Sequence, residues 1–418
     1  MIGRFSLYGF LKNQRYFEPF IILFFLDKGL SFTQIGLLVG FRELAINLME
    51  IPSGAIADLF GRRRSMILSF LMYILAFTVF GFSQDYWHFF IAMFLFSVGE
   101  AFRTGTHKAM IFTWLRIQGR TDEKTKVYGY TRSWAKIGSA VSVVLATILV
   151  LWSNNYSFVF FFAIVPYVIG LVNFFYYPKE LEGQPAERAG IRAVLRQLWQ
   201  CLRDVACVKG LRRLIAESMG FEGVYKAVED YLQPVIAALA LSLPLLVSHG
   251  DAQRSAILVG AVYFLIYLFS AYASRKSHVL SARTGGETGG SRFLWKTVLI
   301  IYVAIIPLLY FQYYPLAIAG FMLLALVQNL WGPMIISRFD SFATESQGAT
   351  VLSIQSQAKA ISTMIIAPVF GALVDLVTAT GTGGSFWPVA TIAAMISLVI
   401  LIATRKRNRP TLVNNTDD

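Results

Sequence analysis

Of the ionisable side chains that interrupt the apolar stretches of this sequence, thirteen are the best placed to do chemistry there. They are Arg15, Glu18, Arg42, Glu43, Glu100, Arg103, Arg132, Lys136, Glu222, Lys226, Glu229, Asp230 and Lys359. A charged group inside a bilayer costs several kcal/mol unless it faces protein or water, so such residues mark a path for solutes or protons. We interpret this set as candidate substrate-binding and ion-coupling residues.

Some of these charges are spaced so that they can pair on one face of a helix. Three pairs have this spacing: Arg15 with Glu18, Glu100 with Arg103, and Glu222 with Lys226. Arg42 and Glu43 are neighbours, about 100° apart around a helix, and we expect them to point in different directions. Arg132 and Lys136 are like charges four residues apart, which repel. They need an acidic partner on another helix, or an anionic solute.

The composition places these charges in a membrane protein. Of the 418 residues 56% are hydrophobic and 15% are charged, whereas about 25% of a soluble domain is charged. A net charge of +13 could suit nucleic acid, but the distribution of the basic residues argues against that partner. Cys201 and Cys207 fit neither a disulfide framework nor a metal motif. We therefore expect no metal and no cofactor.

The hydropathy pattern predicts twelve membrane-spanning helices, each long enough to cross a bilayer. Their predicted ranges, which define spans 1 to 12, are 5–26, 33–57, 65–83, 87–114, 127–151, 156–177, 211–240, 254–273, 294–313, 315–337, 350–376 and 384–404. Outside the spans, Lys and Arg fall on the side that holds Arg62, with only Lys28 and Arg254 on the other side. This asymmetry predicts a multi-pass protein with both termini in the cytoplasm.

The longest break between spans divides the chain into two halves of six spans. We predict an N-terminal bundle over 1–177, a cytoplasmic linker over 178–210, a C-terminal bundle over 211–404 and a cytoplasmic tail over 405–418. Apolar residues at helical spacing between 191 and 205 predict an amphipathic helix in the linker. The glycine-rich segment 274–292 is expected to be a flexible basic loop.

Two short internal matches indicate that the halves repeat each other. Tyr16–Ile21 in span 1 parallels Tyr231–Ile236 in span 7, and Ser133–Lys136 in span 5 parallels Ser356–Lys359 in span 11. Such parallel repeats are related by an axis along the membrane normal. Lys359 would then bring a cation from the half opposite Lys136. These cations, with Arg42 and Arg103, favour a cavity for an anionic or zwitterionic solute.

A short basic loop joins spans 2 and 3, with the sequence Gly54-Ala-Ile-Ala-Asp58-Leu-Phe-Gly61-Arg62-Arg63-Arg64. Glycine permits the tight turn, and the arginines favour the cytoplasmic side. The loop resembles the signature between helices 2 and 3 of the major facilitator superfamily, Gly-x-x-x-Asp-(Arg/Lys)-x-Gly-Arg-(Arg/Lys). The match covers Gly54, Asp58, Gly61, Arg62 and Arg63, and departs from the pattern at Leu59.

The resemblance implies an all-α membrane protein with twelve transmembrane helices in two pseudo-symmetric six-helix bundles, working as a monomer by alternating access. It implies that spans 3, 6, 9 and 12 face lipid, and those spans hold no charge except Lys296 at the start of span 9. It also implies a gate in which Asp58 approaches the start of span 11 and Arg62 reaches an acidic group near span 4.

Proton coupling, the driving force that the resemblance implies, needs a group that binds and releases a proton as the cavity opens. The candidate carboxylates are Glu222, Glu229 and Asp230 on span 7, and Glu18, Glu43 and Glu100 in the first half. The sequence does not distinguish H⁺ from Na⁺.

The leading hypothesis is secondary active transport, by a proton-linked carrier, of a small charged or zwitterionic organic solute or a metal chelate. We place it in a bacterial inner (cytoplasmic) membrane, with uptake and efflux both open. One alternative is a multidrug or lipid efflux antiporter, although span 5 lacks the Gly-Pro run typical of drug–proton antiporters. Another is a non-transporting membrane receptor. No nucleophile–base constellation predicts an enzyme.

Overall fold

The computed structural model describes residues 1–182, 209–244, 249–340 and 348–405. Within these ranges every regular element is helical and no strand occurs. The amphipathic helix predicted between 191 and 205 and the tail from residue 406 onward lie outside the described residues, so those two expectations stay predictions.

Each of the twelve predicted spans is helical, and the prediction of an all-α, twelve-span chain is confirmed. The helices are Ile2–Lys12 and Ile21–Asp27 (span 1), Phe32–Phe60 (span 2), Arg62–Phe82 (span 3), Tyr86–Arg103 and Thr106–Ile117 (span 4), Lys124–Ser153 (span 5), Phe158–Phe175 (span 6), Lys209–Ser218, Val224–Glu229 and Leu232–Ser242 (span 7), Asp251–Arg283 (span 8), Glu287–Tyr310 (span 9), Tyr314–Asp340 (span 10), Gly348–Thr380 (span 11) and Trp387–Arg405 (span 12). Among the described residues, seven of these helices are each long and apolar enough to cross a membrane by themselves.

Spans 1, 4 and 7 are broken helices, which the hydropathy pattern did not predict. Span 1 is interrupted between Lys12 and Ile21, and span 4 at Thr104 and Gly105, where Gly105 has a φ of +78°. Span 7 contains a π-helical turn over Met219–Gly223. Such interruptions are tolerated at membrane depth where protein or a water-filled cavity surrounds them. They therefore indicate where the interior of the molecule is polar.

The predicted flexible loop over 274–292 is wrong. Span 8 continues as a helix to Arg283 and span 9 begins at Glu287, so the turn has only three residues. Gly285 and Gly286 have positive φ values of 78° and 94°, which a tight turn requires and which glycine adopts easily. The hydroxyl of Ser277 donates to the carbonyl of Leu330 on span 10 (2.7 Å). Packing against span 10 therefore stabilises the helix beyond residue 273, where the sequence is too polar to be predicted as part of a membrane span.

The two halves meet most closely at the end of the molecule opposite Gly61; we call this the distal end, and the end that holds Gly61 the basic end. Spans 2 and 11 touch through backbone: a methyl group added to Gly36 would lie 2.4 Å from the carbonyl oxygen of Ala367. Spans 5 and 8 meet at the same end, where Gln253 Nε2 donates to the carbonyl of Leu151 (2.7 Å). The described halves therefore close the molecule at its distal end.

Asp375 of span 11 fastens this closure by capping span 2 of the other half. Its carboxylate accepts hydrogen bonds from the backbone N–H groups of Phe32 (3.0 Å) and Thr33 (2.8 Å) and from the Thr33 hydroxyl (2.6 Å). The first N–H groups of a helix have no partner within the helix, and a negative charge there is favoured by the helix dipole. The cap is thus a hydrogen-bonded contact between the two halves at the distal end.

The exposed faces of spans 3, 6, 9 and 12 carry large apolar side chains, as expected for contact with lipid. Examples are Leu75 on span 3, Val165 on span 6, Ile300 on span 9 and Val399 on span 12, which are all exposed. The opposite faces pack inward, and Tyr73 of span 3 and Tyr167 of span 6 are fully buried. These spans therefore separate the lipid from a polar interior.

We expect Asp375→Ala to destabilise the distal closure by about 1–2 kcal/mol, the usual effect of losing a helix cap. The measurement is the thermal unfolding temperature of the purified protein in detergent. Asp375→Asn should keep only part of the stability, because its amide has one acceptor oxygen where the carboxylate uses two. Asp27→Ala, at an exposed position at the end of span 1, is the matched control and should melt like the wild type. Equal melting temperatures for wild type and Asp375→Ala would show that the cap does not hold the halves together.

Candidate functional site

Eight of the thirteen predicted site residues line one cavity between the halves, which we call the central cavity. It has a volume of about 190 Å³ and lies between spans 1, 2, 4 and 7. The predicted residues in its wall are Arg15, Glu18, Arg42, Glu43, Glu100, Lys226, Glu229 and Asp230. Charges of both signs thus face one space inside the bundle.

Glu100 is held by three partners from three spans. Arg15 Nη2 on span 1 donates to one carboxylate oxygen (2.8 Å), Arg103 pairs with the other, and the hydroxyl of Tyr73 on span 3 also donates to the carboxylate. Arg103 Nε donates to the Tyr73 oxygen at 3.3 Å. The predicted pairs Arg15–Glu18 (3.5 Å) and Glu100–Arg103 are both present. This network compensates a buried carboxylate at the wall of the central cavity.

Glu43 joins the charges of the two halves. Lys226 Nζ on span 7 donates to Glu43 Oε1 on span 2 at 2.7 Å, and Arg42 Nη2 lies 3.1 Å from the same oxygen. The side chain of Glu43 is only 3% exposed. The prediction that Arg42 and Glu43 point in different directions is wrong, because the long arginine side chain folds back to its neighbour. The ion pair between spans 2 and 7 is thus a charged contact between the halves in the wall of the central cavity.

Glu229 and Asp230 face the central cavity without a basic side chain within ion-pair distance among the described residues. They stand where the helix of span 7 ends at Glu229 and restarts at Leu232. Two adjacent carboxylates at a helix break, open to a cavity, can accept a proton or a cationic group of a solute. They are the acidic groups of this site that remain available for binding.

Gln233 of span 7 ties its own half to the break in span 1 by two hydrogen bonds. Gln233 of span 7 accepts a hydrogen bond from the backbone N–H of Ile22 (2.9 Å) and donates one to the carbonyl of Glu18 (3.0 Å). These groups flank the end of the break in span 1, where backbone polar atoms lack helical partners. The two internally similar segments, Tyr16–Ile21 and Tyr231–Ile236, therefore lie side by side at the centre of the molecule.

A second cavity, which we call the basic cavity, lies within the first half and has a volume of about 410 Å³. Spans 1, 4 and 5 form its wall, and the basic side chains in that wall are Lys12, Arg103, Lys108, Arg132 and Lys136. Arg103 belongs to this wall while its partner Glu100 belongs to the central cavity. One ion pair thus separates the two cavities.

Glu222 and Lys359 lie elsewhere. The predicted pair Glu222–Lys226 is wrong: Glu222 is buried and accepts hydrogen bonds from Gln355 (3.1 Å) and Ser218 (3.2 Å). The π-helical turn that contains Glu222 changes the angular spacing along span 7, and Lys226 turns to Glu43 instead. Lys359 is half-buried on span 11 and is absent from the walls of both cavities. The two internal repeats therefore do not place Lys136 and Lys359 in one site.

The loop between spans 2 and 3 is tighter than predicted, because a single residue joins the two helices where the sequence pattern left 58–64 between the spans. Gly61 has a φ of +97° and stands alone between the two helices. Arg62 Nη1 donates to the hydroxyl of Thr113 on span 4 (2.9 Å), so its partner is an alcohol and not the expected acidic group. Arg63 Nη1 donates to the carbonyl of Tyr177 (3.0 Å). The side chain of Asp58 and the surroundings of Gly54 lie outside the described residues.

Several residues of the site have no signal in the sequence. Tyr73 lies in an uncharged span and is one of many buried aromatic residues. Gln233 occupies an apolar helix, and only its place in the internal repeat singles it out. Lys12 and Lys108 lie within predicted spans, but at the edge of or outside the middle third of the span, so the sequence did not select them as site residues.

Among the described residues, no group of three His, Cys, Asp or Glu side chains could hold a metal ion.

We expect the Glu43–Lys226 pair to show strong coupling in a double-mutant cycle. Lys226→Met leaves a nearly fully buried carboxylate with Arg42 alone, so it should lower the melting temperature more than Glu43→Gln does. The double variant should be more stable than the sum of the two effects predicts, by roughly 1 kcal/mol or more. The partly exposed pair Arg120–Glu123, which has much more solvent access than Glu43, is the control and should show coupling below about 1 kcal/mol. Additive effects of Glu43→Gln and Lys226→Met would contradict this assignment.

Comparison with known proteins agrees with this architecture. A "POT family transporter in complex with 5-aminolevulinic acid" matches with a TM-score of 0.70 and 14% identity, covering 98% of this chain and 96% of the other. The crystal structure of the nucleoside transporter NupG superposes with a TM-score of 0.75 and 13% identity, covering 97% of this chain and 98% of that one. A curated relative from Bacillus subtilis (strain 168), the "Uncharacterized MFS-type transporter YxaM", is 23% identical over 366 residues, 85% of this chain and 84% of its own length. The sequence profile of the Major Facilitator Superfamily matches residues 13–367, and the chain is a secondary transporter of this superfamily.

Proposed function

We propose that this carrier moves a small charged or zwitterionic organic solute through the central cavity, driven by protons. The observation that carries the proposal is the composition of the cavity wall: among the described residues Glu229 and Asp230 have no basic side chain within ion-pair distance, although Glu229 has a hydrogen bond with Tyr225, while the other acids have basic partners. Charged groups are retained at such depth where they bind a solute or an ion. A receptor or a scaffold would have no use for two unpaired carboxylates there.

The unpaired carboxylates suit the cationic end of a solute. An ammonium group that enters the central cavity can replace water as the partner of Glu229 or Asp230. The anionic end of the same solute has Arg15 and Arg42 within the wall. One of the similar structures, a POT family transporter, holds 5-aminolevulinic acid, which carries an amine and a carboxylate. A zwitterion of this kind is the chemistry that we assign to the solute.

Protons are the coupling ion that Glu229 and Asp230 favour. When one of them is protonated, the cavity loses a negative charge and no longer needs a cationic partner there. A proton and a solute cation can therefore compete for, or share, the same two carboxylates. Lys226 lies on the same span, and its pairing with Glu43 links their charge state to the contact between the halves.

Alternating access follows from the closure of the distal end. The halves, taken as residues 1–177 and 211–404, would rock about the contact between spans 1 and 7, releasing Asp375 from span 2 as the distal end opens. By family resemblance the basic end is cytoplasmic and the membrane is the inner membrane of a bacterium. Both cavities are built from one chain, which supports a monomer as the working unit.

The test begins with a ligand screen on the purified protein, in which amino acids, short peptides and nucleosides are scored by the rise in melting temperature. Stabilising solutes are then offered to proteoliposomes that contain a pH-sensitive dye. We expect solute uptake to be accompanied by movement of protons and to be accelerated by an imposed pH gradient. A protein that binds a solute but moves neither solute nor protons would be a receptor, and the proposal would fail.

Asp230→Asn and Glu229→Gln should separate binding from coupling. We expect at least one of them to reduce accumulation driven by a pH gradient about tenfold or more, while exchange of solute across the membrane continues without net proton movement. Asp27→Asn is the matched control, since Asp27 is exposed at the distal end of span 1 and lies outside the central cavity. Wild-type accumulation by both cavity variants would show that neither carboxylate carries the coupling proton.

A further inference from the structure

The basic cavity differs from the central cavity in that its charges have one sign. Its ionisable wall consists of five Lys and Arg side chains and His107, with no acidic side chain. Tyr8 and His107 stack at a centroid distance of 3.7 Å on one side, and Tyr128 lies on the other. A space of about 410 Å³ that is lined with cations and aromatic rings is unsuited to a cationic solute.

Four of the five cations have no carboxylate within ion-pair distance among the described residues: Lys12, Lys108, Arg132 and Lys136. Arg103 alone is paired, and its partner Glu100 is shared with Arg15. Lys108 Nζ lies 5.5 Å from the centre of the Tyr128 ring, a weak contact that leaves its charge uncompensated.

Two of these cations lie well inside the length of span 5. Lys136 is twelve residues from the start of span 5 at Lys124, which is roughly 18 Å along a helix. Lys108, Arg132 and Lys136 are exposed in the structure, and Lys12 is half-buried. Like charges that converge on one space repel each other. They are stable together when an anion occupies the space between them.

We propose that the basic cavity binds the phosphoryl group of a phosphate monoester. Such a group carries about −1.5 to −2 charges near neutral pH and three acceptor oxygens, so it can contact cations from spans 1, 4 and 5 at the same time. A monocarboxylate would compensate only one of the four unpaired cations. The cavity is larger than an inorganic phosphate, which leaves room for the organic part of the ester beside Tyr8 and Tyr128.

The anion site rests on the proposed function in one respect: Arg103 and Glu100 form a wall that both cavities share, so one solute could reach both. A phosphoryl group would lie in the basic cavity while a cationic group of the same molecule reaches Glu229 or Asp230. Binding to the basic cavity is itself independent of transport, and it is measured on the full-length protein in detergent.

The probes are inorganic phosphate, phenyl phosphate, sulfate and acetate at equal ionic strength, with binding followed by calorimetry and by the melting temperature. We expect phenyl phosphate and phosphate to bind saturably, sulfate to bind as another dianion, and acetate to bind at least tenfold more weakly. Phosphate binding should weaken as the pH falls below about 6, where the second proton is taken up, while sulfate binding should not. Equal binding of acetate and phosphate would overturn the proposal.

The variant is Arg132→Gln/Lys136→Gln, which changes two exposed side chains that hold no ion pair and should leave the fold intact. We expect the affinity for phenyl phosphate to fall by roughly tenfold per cation removed, the usual effect of losing a charge-assisted hydrogen bond. Arg275→Gln/Lys276→Gln is the matched control, since it removes the same charge from exposed positions on span 8, outside the cavity. A similar loss in the control would show that only the overall charge matters, against the proposal.

The phosphoryl group could belong to a soluble ester or to phosphatidic acid, the phospholipid whose headgroup is a phosphate monoester, and nanodiscs distinguish the two. If phosphatidic acid in the disc displaces phenyl phosphate and a neutral phosphodiester lipid does not, the ligand is a lipid headgroup; if neither does, it is a soluble ester. Absence of anion binding by the wild-type protein, with intact proton-driven transport, would refute this inference alone. Retained anion binding with no transport would refute the proposed function alone.

Discussion

An ionised side chain in the interior of a membrane protein has to be compensated by an opposite charge or by hydrogen bonds, and the polar interior of this transporter is arranged around that requirement. Glu100 receives Arg15, Arg103 and the hydroxyl of Tyr73, and Glu43 receives Arg42 and Lys226. Each network draws partners from more than one span. Electrostatic compensation therefore holds the helices in register as well as making the charges tolerable. Removing one partner would leave a charge that neither lipid nor the remaining residues could stabilise.

The same requirement applies to the backbone where spans 1, 4 and 7 break. Polar backbone groups freed by a break need partners, and Gln233 supplies them for the end of the break in span 1. The breaks in turn direct side chains that a continuous helix would hold at fixed angles. Glu229 and Asp230 face the central cavity because span 7 is interrupted beside them, and Glu222 is turned away by the π-helical turn. Irregular backbone and functional charge thus occur together.

The structure is asymmetric in two respects that bear on transport. The described contacts between the halves close the distal end, where spans 2 and 11 touch through backbone and Asp375 caps span 2. The charges are also divided, with an acidic excess in the wall of the central cavity and only cations in the basic cavity. The pair Arg103–Glu100 stands between them. A solute with two unlike charged ends would find a complementary surface for each.

The sequence alone determined the class of the protein, the number and order of its spans, a tight turn between spans 2 and 3 and the set of charges within the spans, because these follow from hydropathy, glycine and the cost of placing charge in a membrane. It also predicted the pairs Arg15–Glu18 and Glu100–Arg103, which are local in one stretch of chain. The tertiary structure decided which distant groups meet. Lys226 pairs with Glu43, 183 positions away, and not with Glu222 four positions away, since a π-helical turn changes the angle between them. The roles of Gln233, Tyr73 and Asp375 likewise depend on the packing of spans far apart in the chain, and no local pattern records which helix lies beside which.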